Sequence, residues 1–97
     1  MQEGADVRRE KDFRGISKRL AVHYLENLGG ELVDGEAEGP DEARVAGEGW
    51  TATLSAEKVR VAGSLELTEV SVAFDGDDDV LEPLIERFSQ KAMRAGG

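Results

Sequence analysis

Residues 42–76 read EARVAGEGWTATLSAEKVRVAGSLELTEVSVAFDG, and the fold turns on how this run divides. Trp50, Ala52 and Leu54 alternate with Thr51, Thr53 and Ser55, the period of two that a strand with one buried face requires. Val59 and Val61 alternate in the same way with Lys58 and Arg60. The segments SAEK (55–58) and AGS (62–64) are short enough for hairpin turns, so an antiparallel meander is expected. Its strands are ELVDGEAEG (31–39), EARVAGEGWTATLSA (42–56), EKVRVAGS (57–64) and LELTEVSVAFDG (65–76).

The last of these strands changes phase. Leu65 and Leu67 share one face, whereas Val70, Val72 and Phe74 have the opposite parity. One arrangement is a β-bulge near Thr68-Glu69 that returns all five to the core. The other is a second apolar face that two helices leave uncovered, available as a dimer interface or ligand surface.

Working outward, Phe13, Ile16, Leu20, Tyr24 and Leu28 stand at helical spacing and predict an amphipathic helix over about 14–28. Gly29-Gly30 supply its left-handed stop. The preceding DVRREKDF (6–13) has no helical period and reads as an exposed edge strand whose charges discourage pairing. On the other side, Leu81, Leu84, Ile85, Phe88 and Ala92 predict a second helix. Asp79 is its expected cap, with Glu82 as capping-box partner and Pro83 in the first turn. The expected fold is α+β, one domain over 1–97, with an antiparallel meander sheet, two helices on one face, and the order β-α-β-β-β-β-α.

A chain of 97 residues buries only a little over ~60% of its unfolded surface, enough for one modest core. With no cysteine, a disulfide framework, a thiolate metal site and a Cys nucleophile are excluded. No run of about 18 apolar residues is present, and MQEGADVRREKDF lacks the apolar stretch of a signal peptide, so a cytoplasmic protein without membrane attachment is expected. The net charge is −9; residues 1–20 carry six bases and four acids, a net +2, which leaves −11 for residues 21–97. Such a body repels nucleic acid. The four Lys against eight Arg and the dense acids resemble the surfaces of proteins from halophilic archaea, and a solubility adaptation accounts for the charge.

Several patterns approach chemistry without reaching it. DGDDDVLEPLIE sets Asp75, Asp77, Asp79 and Glu86 at positions 1, 3, 5 and 12 of an EF-hand-like loop, but Val80 stands where glycine is needed, so no metal is expected and the acids read as helix caps. GEGWTA (47–52) fits a relaxed dinucleotide fingerprint yet runs into strand residues, so its glycines read as a hairpin turn or bulge. His23 has no fixed carboxylate or serine partner, and no serine lies in a nucleophile motif, so no catalytic residue and no cofactor are assigned and the chain reads as a non-enzyme. The basic cluster Arg8, Arg9, Lys11, Arg14, Lys18 and Arg19 is interleaved with Asp6, Glu10 and Asp12, which neutralise much of its field.

The tail MRAGG (93–97) poses the remaining question. Gly96-Gly97 is the terminus that ubiquitin-like modifiers and sulfur carriers present on an extended end, but here it follows a helix directly, where a terminal glycine is an ordinary cap.

FRGISKRLAVHYLENLGGELV (13–33) and LIERFSQKAMRAGG (84–97), with the meander between them, resemble the small domain at the C-terminal end of MoaD-related (molybdopterin-synthase-small-subunit-related) proteins. A family of small bacterial proteins with the same helix–meander–helix order is a second resemblance. The first implies a TBP-like arrangement and a link to molybdenum-cofactor or sulfur-carrier metabolism, with no residue roles attached. In such proteins a ubiquitin-like carrier precedes this domain, so the resemblance implies a binding or assembly role here. The expected function is a non-enzymatic interaction or ligand-binding module, acting as a homodimer or on a protein partner through a sheet face around Trp50, Val70, Val72 and Phe74. The alternative is a modifier or sulfur carrier activated at Gly96-Gly97.

Overall fold

A computed structural model describes residues 6–39 and 41–96. Its elements are β1 (Asp6–Arg14), α1 (Lys18–Asn27), β2 (Glu31–Gly35), β3 (Ala43–Gly47), β4 (Trp50–Ala62), β5 (Leu65–Asp77) and α2 (Asp78–Gly96). The five strands form one antiparallel sheet in the order β1-β5-β4-β3-β2. The α+β class and the order β-α-β-β-β-β-α are therefore as the sequence predicts, and β1 is an edge strand. α1 lies over β2, β3 and β4, and α2 over β5 and β1, so both helices cover the same face.

The division of the meander differs from the expectation. SAEK is no turn: Ser55–Lys58 lies within the 13 residues of β4, and the hairpin turn sits at Glu48-Gly49, in agreement with the reading of the GEGWTA glycines as a hairpin turn or bulge. Gly49 adopts φ 83°, which glycine reaches without a Cβ penalty, whereas 55–58 holds no Gly, Pro or Asn to break a strand. The second turn is at Gly63-Ser64, within the predicted AGS segment.

The helix boundaries also move, each for a local reason. α1 starts at Lys18 because the Ser17 hydroxyl accepts the Leu20 N–H at 3.0 Å. The chain before it stays extended, and Phe13 belongs to β1. The buried stripe of α1 is consequently Lys18, Ala21, Val22 and Leu25, rotated from the predicted one. Its end is as expected: Gly30 N–H donates to the Leu25 carbonyl at 2.9 Å and Gly29 N–H to Glu26 at 3.1 Å, the paired bonds of a Schellman stop. In α2 the cap is Asp77, not Asp79, since the Asp77 carboxylate accepts the Asp79 N–H at 2.8 Å. Pro83 then falls in the second turn, where its missing N–H leaves the Asp79 carbonyl without its helical donor.

The core lies between the sheet and the helices. Ala43, Val45, Trp50, Ala52, Leu54, Val70, Val72 and Phe74 from the strands meet Ala21, Val22 and Leu25 of α1 and Leu81, Leu84, Phe88 and Ala92 of α2. Phe88 is the hub, with Phe13, Phe74 and Tyr24 all edge-on to it at ring-centre distances of 5.1, 5.8 and 6.3 Å.

No bulge occurs at Thr68-Glu69. The β4–β5 register runs unbroken from Trp50↔Gly76 to Arg60↔Glu66, and the only shift in it, between Arg60 and Ala62, sits beside the turn. Leu65 and Leu67 therefore point to the face opposite Val70, Val72 and Phe74. β1 pairs β5 only over 69–77 and β3 pairs β4 only over 50–54. Beyond those limits the two long strands are partnered by each other alone, as a ribbon that stretches the molecule to 53 × 23 × 20 Å.

Candidate interaction surfaces

Trp50, Val70, Val72 and Phe74 occupy the helix-covered side of the sheet, with at most 7% of any of them exposed. They form the core and not an open face, which corrects their assignment as a docking surface. The parity reading separated the two faces properly, but α1 and α2 cover the face that holds these four residues.

The uncovered face is built from the other parity. Over the body of the sheet it is polar: Thr51, Thr53 and Ser55 of β4 stand beside Ser71 and Asp75 of β5, with Arg8, Glu10 and Asp12 of β1 opposite the latter. Arg8 bridges Asp75 and Glu10, each at 3.1 Å, and the Ser71 hydroxyl donates to Asp12 at 2.8 Å. The Glu10 hydrogen bond, followed by the charge of Asp75, raises the Arg8 pKa above its ordinary value. A shallow groove of about 240 Å³ runs among these side chains.

Along the projecting ribbon the same face turns apolar. Val59 pairs with Leu67 across the hairpin and Leu65 lies next along the same face, while Val61 sits at the register shift beside the turn. Leu65 is 57% exposed, Val61 37% and Leu67 36%, with no helix over them. The signal for this strip was in the sequence. Val59 and Val61 are out of phase with Trp50, Ala52 and Leu54 just as Leu65 and Leu67 are with Val70, and placing a turn at SAEK hid that correspondence.

A further groove, of about 580 Å³, runs between β1 and α2. Arg9, Glu10 and Lys11 form one wall, and Glu82, Ile85, Glu86, Ser89, Gln90 and Met93 the other.

The basic cluster is dispersed into pairs. Besides Arg8, Arg9 meets Asp78 at 2.6 Å, Arg14 meets Glu69 at 3.1 Å and Arg19 meets Glu38 at 3.4 Å. Lys18 is buried, and its ammonium donates to the carbonyls of Gly39, at 3.0 Å, and Asp41. That anchor on Gly39 and Asp41 is not legible in the sequence, because periodicity places a lysine on a surface by default.

Two of the acids of DGDDDVLEPLIE are similarly occupied, Asp75 by Arg8 and Asp77 by the α2 cap. Among the described residues, no group of three or more His, Asp or Glu could hold a metal ion. His23 is exposed, with Asn27 3.4 Å away as its hydrogen-bonding neighbour. α2 continues to Gly96, and Gly97 lies outside the described residues. No helix among the described residues is long and apolar enough to cross a membrane.

The family model of archaeal MoaD-like proteins matches residues 9–97, from within β1 through both helices and the whole meander. The chain belongs to the archaeal MoaD-like family. No curated protein and no solved structure matches it. For this MoaD-like protein the match spans the apolar ribbon and the groove between β1 and α2, and all of the polar face except Arg8.

Proposed function

We propose that this MoaD-like protein is a non-enzymatic interaction module that holds a protein partner through the ribbon of β4 and β5, in sulfur-carrier or molybdenum-cofactor metabolism. The observation that carries the reading is the strip Val59, Leu65 and Leu67, on a sheet face that no helix covers, with the exposed Val61 beside it at the register shift. A two-stranded ribbon is marginal on its own in water, and apolar side chains clustered on one face of it mark an interaction surface. The partner is a protein offering an apolar surface, because the strip has no charge of its own to select an ionic ligand, while Glu57 and Glu69 border it towards the body. The metabolic context rests on the family membership. Affinity capture from the source organism tests it. The intact chain should recover a defined partner that a Leu65→Glu/Leu67→Glu variant of unchanged fold does not, and an identical set of captured proteins with both chains refutes the reading.

A second reading, a carrier or modifier activated at Gly96-Gly97, is favoured by one observation: membership of the archaeal MoaD-like family. Against it stands α2, which extends to Gly96 where an activating enzyme needs a slender extended end. Intact mass of the protein from its own host decides. An oxygen-to-sulfur increment, or conjugates to lysine through Gly97, establishes the carrier, and an unmodified mass without adducts removes it.

A further inference from the structure

β1 leaves one edge of the sheet open, and its hydrogen-bonding phase can be read. Gly15 N–H donates to the Thr68 carbonyl at 3.2 Å, so the odd-numbered residues of this strand turn their peptide groups towards β5. By alternation, Asp6, Arg8, Glu10, Asp12 and Arg14 aim N–H and C=O groups out of the sheet. Their side chains lie on the uncovered face, and those of Val7, Arg9, Lys11 and Phe13 on the helix face.

The strand DVRREKDFR is complementary to itself when reversed. An antiparallel second copy centred on Glu10 sets Asp6 opposite Arg14 and Arg8 opposite Asp12, each twice, and Val7 opposite Phe13 on the helix face. Sliding the copy by two residues destroys this match. One direction sets Arg8 against Arg14 and Glu10 against Asp12; the other keeps an attractive pair, Arg8 with Glu10, but sets Asp6 against Asp12 and leaves Arg14 without an acid opposite it. The centred register has its own like-charge contacts, Glu10 with its copy and Arg9 with Lys11. They are offset by neighbours already in place: Arg8 donates to Glu10 at 3.1 Å, Arg9 meets Asp78 at 2.6 Å, and Glu82 and Glu86 line the groove that an incoming Lys11 enters.

The helix layer agrees with the strand layer. α2 lies over β5 and β1, so a two-fold beside β1 sets the second α2 two strand spacings away, about 10 Å. That is the separation at which helices pack, about 8–10 Å. Ile85 and the exposed Met93 then supply apolar contacts across the groove.

We infer that β1 pairs with β1 of a second copy of this chain about a two-fold axis midway between the two Glu10 residues, joining two sheets into one of ten strands. The contact is separate from the ribbon strip, so the homodimer and partner docking can hold or fail independently.

Sedimentation equilibrium at about 0.15 M salt, where a Debye length of about 8 Å screens the long-range repulsion between two −9 chains but less so charges in direct contact, tests the pairing. The unaltered chain should be dimeric. Arg8→Glu, which places an acid opposite Asp12, should weaken dimerisation about tenfold or more while circular dichroism stays unchanged, and adding Asp12→Arg should restore it. Amide exchange supplies an answer without mutation: the Arg8, Glu10 and Asp12 amides should gain protection as protein concentration rises. A monomer at all concentrations, a dimer indifferent to Arg8→Glu, or concentration-independent exchange at these amides overturns the inference.

Discussion

Truncating Phe74 and Leu67 to alanine in parallel tests the facing of β5, because the two side chains lie on one strand with opposite parity. Phe74 is fully buried against Phe88, with ring centres 5.8 Å apart and the planes 73° apart. Removing a buried Phe ring costs about 3–5 kcal/mol, a large part of the ~5–15 kcal/mol that holds a domain of this size together. At roughly 4–8 °C per kcal/mol for small domains, the thermal midpoint should fall by about 12–40 °C or the chain should fail to fold cooperatively. Leu67 is 36% exposed and faces away from the helices, so Leu67→Ala should cost under about 1 kcal/mol. Urea unfolding followed by Trp50, the single tryptophan and itself buried, reads both variants with one probe. Equal losses for the two variants, or a larger loss for Leu67→Ala, would refute the assignment of faces and with it the ribbon strip.

Three further substitutions probe the framework. Ser17→Ala removes the acceptor of the Leu20 N–H and should cost about 1 kcal/mol in urea unfolding, with α1 otherwise intact. Lys18→Met keeps the apolar stem but strands the carbonyls of Gly39 and Asp41; a loss of about 1–3 kcal/mol is expected, with faster amide exchange across residues 36–42. In Gly47→Ala the new methyl meets the Trp50 indole, so a loss of about 1–3 kcal/mol should accompany a red-shifted tryptophan emission, and an unshifted spectrum would mean that the indole does not lie over Gly47.

The parts legible in sequence were those decided within a few residues. The stripe Leu81, Leu84, Ile85, Phe88 and Ala92 specifies α2 because helical geometry puts all five on one side, and Leu81, Leu84, Phe88 and Ala92 are indeed buried. Gly29-Gly30 ends α1 because the left-handed φ of 104° at Gly29 suits a residue without Cβ. The charge run of β1 marked an edge strand, and β1 is one. The hairpin turns were less legible, since SAEK and Glu48-Gly49 both offer short breaks and the choice lies with the register of β3 on β4.

The candidate site was the least legible part. Alternation tells which residues of β5 share a face, so Leu65 and Leu67 separate from Val70, Val72 and Phe74 in the sequence itself. It does not tell which face the helices will cover, because that depends on where α1 and α2 land after the chain has crossed from β1 at one edge to β2 at the other. Local periodicity thus determined the elements and their two-sidedness. The tertiary structure decided that Trp50 and Phe74 are core, that Lys18 is an internal anchor, and that Val59, Val61, Leu65 and Leu67 meet solvent. The physical reason is that burial is a property of the whole assembly: an apolar face is withdrawn from water only where another element has enough contiguous surface to cover it, and two helices have enough for one side of this sheet.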